Sequence, residues 1–163
     1  MRVFDNGFLK EAVENYPNES SGFLFTNAPY SGSQERWYIF SVKNVSESKR
    51  NSWHPDIKDM QRIKAKAKKL GLIKIGNVHT HPFPNEDWKG STVEDNKHPS
   101  DSDLKYAQKF NDLVRIIWVI GKGAFLQSYV HDKFGKEIPV SLEVRAGTRY
   151  NKEGGTEPMK AIP

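Results

Sequence analysis

The chain has 163 residues, 36% of them hydrophobic, which is enough to bury the core of a single domain. It contains no cysteine, so disulfides and thiolate metal sites are excluded. The formal net charge of +5 gives only a weak preference for acidic partners. No apolar run approaches the ~18 residues that span a bilayer, so we expect no membrane segment. A cytoplasmic setting is expected, because a chain without cysteine suits a reducing compartment.

Helical and strand patterns alternate along the chain. In order, they predict a helix over 5–16, a strand hairpin over 22–26 and 36–42, a polar and mobile loop over 44–52, a helix over 55–70, a strand from 72, a helix over 102–110, a second hairpin over 114–120 and 125–130, and a last edge strand over 138–144. This order predicts an α/β fold with a mixed sheet covered by helices on both faces. The lysine-rich side of the long helix is interpreted as a solvated face, so a nucleic-acid partner is not expected.

Two histidines end the strand that begins at residue 72. His79 and His81 are two positions apart, so along a strand their side chains project to the same face. Pro82 cannot donate to the strand ladder, which places the pair at the strand's end. Residues 99–104 then read as a helix start, where Ser100 and Asp103 can cap free N–H groups. Two imidazoles and one carboxylate can form a three-ligand catalytic zinc site with an open fourth position.

Two other residues compete for a role at this site. Thr92 to Asp95 repeats the T-x-x-D spacing nearer to His81, which makes Asp95 an alternative ligand to Asp103. His98 is a third imidazole, interpreted as an exposed loop residue, although a second zinc or a substrate contact is the alternative.

Three separated motifs resemble one known family. His79-Thr80-His81-Pro82, followed by Ser100-x-x-Asp103 and preceded by Pro17-Asn18-Glu19-Ser20-Ser21-Gly22, is similar to the signature of JAMM metalloproteases, also called MPN+ or JAB domains. The spacer between His81 and Ser100 is longer than the family's. The resemblance covers residues 1–145, and residues 146–163 are expected to be a flexible tail. It implies a central mixed sheet sandwiched by helices, related in architecture to cytidine deaminases.

The resemblance also implies a role for each motif residue. His79, His81 and Asp103 would bind one catalytic Zn²⁺, which lowers the pKa of a water molecule toward ~7. Glu19 would act as the general base that passes a proton to the leaving amine. Ser100 would donate a hydrogen bond to the oxyanion of the tetrahedral intermediate.

The activity implied by the resemblance is zinc-dependent cleavage of a peptide or isopeptide bond after the C-terminus of a ubiquitin-like protein. The substrate would be a conjugate or a precursor. The prokaryotic branch, including deconjugating proteases that act beside E1- and E2-like enzymes in antiphage systems, is the expected setting. Two alternatives remain open: a non-catalytic MPN scaffold that binds protein partners, and a DNA-associated relative of the RadC type.

The 17 residues from Phe83 to Pro99 are too long for an ordinary connection. Long loops beside active sites are commonly lids or binding loops. We therefore predict that this segment closes over the C-terminal tail of the substrate with Trp88 as an anchor. The equal alternative is that Trp88 folds back over the core.

Overall fold

The computed structural model describes residues 1–27, 36–84, 92–150 and 156–158. The strands in this part of the chain are β1 Arg2–Phe4, β2 Ser21–Thr26, β3 Arg36–Val42, β4 Ile73–Pro82, β5 Val114–Gly121, β6 Ala124–Asp132, β7 Glu143–Arg145, β8 Thr148–Tyr150 and β9 Thr156–Pro158. The helices are α1 Phe8–Glu14, α2 Ile57–Lys69 and α3 Asp101–Lys109, with a short 3₁₀ helix at Glu94–Lys97.

Seven strands form one mixed sheet in the order β6-β5-β4-β2-β3-β1-β7. Strands β4 and β5 pair in parallel, as do β1 with β3 and β1 with β7. The predicted hairpins are confirmed, because β2–β3 and β5–β6 each pair as antiparallel neighbours. The predicted α/β class with a mixed central sheet is confirmed.

Helices cover both faces of this sheet. On one face, Phe8 and Ala12 of α1 belong to a buried cluster with Leu24 of β2. On the other face, Ile63 and Ala67 of α2 pack in a cluster with the neighbouring residue of β2, Phe23. Because successive strand residues point to opposite faces, β2 supplies both cores and is buried along its whole length.

The predicted last strand over 138–144 is wrong in position. The strand in this region is β7, Glu143–Arg145, and it pairs in parallel with β1. Strand β1 was not predicted, because three residues are too few to show a periodicity. Beyond residue 145, where the sequence predicts a flexible tail, β8 and β9 pair as an antiparallel two-stranded sheet. The division into 1–145 and 146–163 stays a prediction.

The buried side of α2 does not include its first residue. Ile57 belongs to the helical stripe by spacing, yet its side chain is 71% exposed, whereas Ile63 and Ala67 are buried. Ile57 is the first residue of α2, where Asp56 caps the helix by accepting a hydrogen bond from the Asp59 N–H.

No helix among the described residues is both long enough and apolar enough to span a membrane.

Candidate metal centre

Strand β4 fixes the two histidines at the centre of the sheet. His79 lies opposite Ser21 of β2 and beside Ile117 of β5, so its backbone is paired on both sides. Three residues earlier, Gly76 has no side chain, and a Cβ there would collide with the carbonyl oxygen of Val114. Glycine thus permits the close approach of β4 and β5. His79 and His81 are both buried, and both project toward the face that carries α3.

Helix α3 brings the carboxylate to the histidines. Ser100 caps this helix: its hydroxyl accepts a hydrogen bond from the Asp103 N–H at 3.1 Å, and Asp103 Oδ2 accepts one from the Ser100 N–H at 2.8 Å. This reciprocal capping box fixes the Asp103 side chain in the first helical turn. The same Oδ2 atom lies 3.3 Å from His79 Nε2. The predicted helix start and the predicted Ser–Asp capping pair are therefore confirmed.

Two of the separations among the three side chains match those in a tetrahedral zinc site. His79 Nε2 lies 3.2 Å from His81 Nε2 and 3.3 Å from Asp103 Oδ2. All three potential ligand atoms lie within 4.8 Å of one another. Tetrahedral zinc with ligands at about 2.0 Å places neighbouring ligand atoms roughly 3.3 Å apart. The chemistry and spacing of these donors therefore fit a zinc ion.

A backbone carbonyl orients His81 for this task. His81 Nδ1 lies 2.6 Å from the carbonyl oxygen of Asn96, in the short 3₁₀ helix. A ring whose Nδ1–H donates to that carbonyl carries its lone pair on Nε2, the atom that faces His79 and Asp103. Burial lowers the pKa of His81 to about 4, and the neighbouring His79 adds to this effect. His81 is thus neutral at physiological pH, the state that binds metal.

The competing ligand Asp95 lies away from this cluster. Its side chain is exposed and accepts a hydrogen bond from the Thr92 N–H at 2.8 Å, and its own N–H donates to the Thr92 hydroxyl. His98 is also exposed and does not belong to the cluster. Among the described residues, His79, His81 and Asp103 form the one group with the spacing of a metal site.

Glu19 faces the same cleft as the cluster. Its side chain is buried and lines the cleft together with His81 and Asp103. Burial and, to a smaller extent, the negative charge of Asp103 together raise the pKa of Glu19 to about 9. A carboxyl group with this environment holds a proton at neutral pH unless a cation lies nearby. Its predicted role in proton transfer stays a prediction.

Two hydrogen bonds connect the Glu19 segment to β4. The Ser20 N–H donates to the hydroxyl of Thr80 at 2.8 Å, and the Thr80 N–H donates to the Ser20 carbonyl at 3.0 Å. Thr80 points to the sheet face opposite to its neighbours His79 and His81. The H-T-H triplet therefore positions both the candidate ligands and the chain next to Glu19.

Ser100 is exposed at the cleft, where sequence analysis placed the oxyanion donor. Its oxygen accepts the capping hydrogen bond from Asp103, which leaves the hydroxyl hydrogen free to rotate toward a ligand. Capping and donation are therefore compatible. The oxyanion role itself stays a prediction.

Sequence analysis missed the side chains that wall the cleft. The cleft has a volume of about 250 Å³ and runs between residues 51–54 and helix α3. Trp53 is buried and stacks on the His79 ring, with ring centroids 5.7 Å apart and planes inclined by 28°. It also meets the Tyr106 ring of α3 edge-on at 4.8 Å. No local sequence pattern predicts that Trp53 lies at the site, because its contacts are with residues distant in sequence. The predicted anchor Trp88 lies outside the described residues.

Arg115 was also missed. It is fully buried on β5 and donates from Nη2 to the backbone carbonyl of Asp103. Burial alone would raise the pKa of Asp103, but His79, the Ser100 N–H and the Arg115 charge together hold that pKa well below its ordinary value. A buried arginine in a strand of apolar residues is the signal that could have identified it. Arg115 therefore favours the ionised form of Asp103, the form that binds metal.

Comparison with known proteins adds information on the fold. No protein-family model matches the sequence, and no curated protein matches it. A solved structure from Salinibacter ruber has a TM-score of 0.53 at 17% identity, over 89% of this chain and 92% of that one. A protein from Desulfitobacterium hafniense has a TM-score of 0.50 at 19% identity, over 90% and 95% of the two chains.

A third similar structure is a JAB1/MPN domain protein from Archaeoglobus fulgidus. It is 22% identical, with a TM-score of 0.48, over 88% of this chain and 98% of that one. The similarity to the Salinibacter and Desulfitobacterium structures, both below 25% identity, concerns the fold alone. The chain thus shares its mixed α/β fold with solved bacterial proteins and carries on it a His-His-Asp cluster with the spacing of a metal site.

Proposed function

We propose that this chain is a JAMM-type zinc metallopeptidase that hydrolyses amide bonds. The observation that carries the proposal is the pair of separations at His79 Nε2, 3.2 Å to His81 Nε2 and 3.3 Å to Asp103 Oδ2. These three atoms would hold the ion, and Glu19 lines the same cleft without belonging to the ligand set. Metal-assisted hydrolysis needs side chains that bind the metal and a nearby carboxylate that does not bind it and can carry a proton.

A zinc ion bound by two neutral imidazoles and one carboxylate supplies Lewis acidity to a water or a carbonyl group. Glu19 performs the proton transfers. As water adds to the carbonyl carbon, the Glu19 carboxylate takes a proton from it. When the C–N bond breaks, the carboxyl group gives that proton to the leaving amine. A cation held by the three ligands would favour the ionised form of Glu19 and so oppose the effect of burial on its pKa.

Ser100 and the cleft walls position the substrate. The Ser100 hydroxyl faces the cleft and donates to the oxygen that becomes negative as the tetrahedral intermediate forms. Trp53 excludes water from one side of the ligand cluster, because its ring stacks on the His79 ring and packs edge-on against Tyr106. Exclusion of water strengthens the electrostatic interactions within the site.

The proposed substrate is the C-terminus of a ubiquitin-like protein, joined to a lysine of a target or to a short extension. The support for this class is the order of the three motifs around Glu19, His79 and Asp103, which resembles JAMM proteases. The same resemblance supports a cytoplasmic setting beside E1- and E2-like enzymes, as in antiphage conjugation systems. A non-catalytic scaffold of the same fold would bind such partners without cleaving them.

A metal and activity assay separates these functions. The purified protein is loaded with zinc and incubated with a ubiquitin-like domain fused through its C-terminus to a reporter, with and without chelator. Glu19→Gln keeps the side-chain volume but cannot transfer the proton. Glu14→Gln, on the exposed end of α1, is the matched control.

We expect one zinc per chain in all three proteins. Activity should fall by about 10²–10⁴-fold in Glu19→Gln and remain unchanged in Glu14→Gln. Bound zinc with no cleavage by the unmodified protein, or equal activity in Glu19→Gln, would contradict the peptidase proposal. The first of these results would favour the scaffold.

A further inference from the structure

The polar loop over residues 44–54 is held together by its own hydrogen bonds. The Ser46 and Ser52 hydroxyl oxygens lie 2.5 Å apart, and the Ser48 N–H donates to the Ser46 hydroxyl at 3.1 Å. The Ser52 N–H and hydroxyl both donate to the Ser48 carbonyl. The expectation of a mobile loop does not fit this network. The loop ends on Trp53 and His54, which wall the cleft.

One side chain joins this loop to the segment that carries Glu19. The Asn44 amide nitrogen donates to the Glu19 carbonyl at 2.8 Å and to the Ser52 carbonyl at 3.1 Å. Its amide oxygen accepts from the N–H groups of Ser46 and His54, both at 3.0 Å. Both donors and both lone pairs of the amide are therefore used, and every partner is a backbone group.

We propose that Asn44 is a positioning residue that holds Glu19 in fixed relation to the Trp53 wall, the side of the cleft that Trp53 forms. Its bonds to Ser52 and His54 bracket Trp53 in the chain, and its bond to Glu19 fixes the backbone of the proposed proton carrier. Glu19 makes a further hydrogen bond to this loop, because its own N–H donates to the Lys49 carbonyl at 2.6 Å. The role in catalysis rests on the proposed peptidase function.

The chemistry of the amide explains why other side chains cannot replace it. Aspartate keeps the acceptor that serves Ser46 and His54 but presents a second oxygen to two carbonyls, which repel it. Alanine removes all four hydrogen bonds. Loss of position at Glu19 lowers the rate of proton transfer, because catalysis depends steeply on the placement of the reacting groups.

Two variants and one matched control test the proposal. Asn44→Asp removes two donors, and Asn44→Ala removes the whole amide. Asn6→Ala is the control, because the Asn6 amide also donates to a backbone carbonyl, that of Ile39, yet Asn6 lines neither the ligand cleft nor the cavity beside Glu19. Zinc content and the denaturation midpoint are measured for each protein, followed by kcat and KM on the fusion substrate.

We expect both Asn44 variants to bind one zinc and to lose about 10–100-fold in kcat, beyond any loss in Asn6→Ala at comparable stability. A kcat equal to that of the unmodified protein, or a loss that only follows stability as in the control, would overturn the proposal.

A second readout needs neither zinc nor activity. Trp53 is 8% exposed, so we expect acrylamide to quench its fluorescence slowly in the chelator-treated protein. Both Asn44 variants should show faster quenching, with Trp53→Phe used to assign the signal. Unchanged quenching would overturn the link between Asn44 and the Trp53 wall, even if the unmodified protein cleaves no substrate. Absence of cleavage together with faster quenching would reject the peptidase function and keep the structural link.

Discussion

The hydroxyl of Thr80 accepts a hydrogen bond from the backbone N–H of Ser20 at 2.8 Å. Thr80 lies between the two candidate ligand histidines, and Ser20 follows Glu19. Together with the backbone hydrogen bond from the Thr80 N–H to the Ser20 carbonyl, it joins the segment of the proposed proton carrier to the strand of the proposed metal centre.

Replacing Thr80 with valine should separate these two elements without removing the metal. Valine has nearly the same shape but leaves the Ser20 N–H unpaired in a buried position, at a cost of about 1–3 kcal/mol in the free energy of unfolding. Denaturant unfolding measures that cost, and steady-state kinetics should show a lower kcat with unchanged zinc content. Thr80→Ser keeps the hydroxyl and should behave as the unmodified protein does. A Thr80→Val protein with normal kcat would show that this bond does not position Glu19.

Removal of the carboxylate ligand should distinguish Asp103 from Asp95. Asp103→Ala should weaken zinc binding by at least about 100-fold, because it removes one of three ligands. Asp95→Ala should leave the affinity unchanged, because Asp95 is exposed and bonded to Thr92. Competition titration with a coloured zinc chelator measures both affinities. Loss of zinc in Asp95→Ala alone would show that Asp95, and not Asp103, is the carboxylate ligand.

Arg115 should affect zinc binding through Asp103. Arg115→Met removes the donor to the Asp103 carbonyl and the charge that favours the ionised carboxylate. We expect the zinc affinity to fall by about 10-fold, and to fall further as the pH is lowered, because protons then compete for Asp103. Arg115→Lys keeps the charge and should lose less. Equal affinities in Arg115→Met and the unmodified protein across the pH range would disprove this effect.

His131 should make the metal-free protein sensitive to acid. Burial lowers the pKa of His131 from 6.5 to about 4. The folded state therefore binds a proton less readily than the unfolded state, so the stability is full above pH 6.5 and is lost as the pH falls toward 4.

Replacing His131 with glutamine should remove on the order of 1–3 kcal/mol of this pH-dependent loss. Part of the loss should remain, because His81 has a pKa lowered in the same way. Urea unfolding of the two proteins, after treatment with chelator, at several pH values gives the slope of the free energy of unfolding against pH for each. Identical slopes would indicate that His131 ionises normally in the folded state.

Local patterns predicted the parts of the site that lie on one element. The two-residue spacing placed His79 and His81 on one strand face, and the helix-start signal placed Ser100 and Asp103 in a capping box. The choice between Asp103 and Asp95 needed the structure, because it depends on how residues 92–99 return to the sheet.

Contacts between distant parts of the chain could not be predicted in this way. Trp53 meets His79 across 26 positions of sequence, and Asn44 meets Glu19 across 25. Strand β1 has three residues and pairs in parallel with strands far along the chain, so no alternation could reveal it. These features depend on tertiary packing, which a single sequence read locally does not encode.

The metal centre itself is tested most directly by anomalous diffraction at the zinc absorption edge, from crystals of the zinc-loaded protein. We predict one strong peak within about 2.0–2.2 Å of His79 Nε2, His81 Nε2 and Asp103 Oδ2. A peak at another position, or a protein that holds zinc with no peak among these three atoms, would contradict the proposed centre.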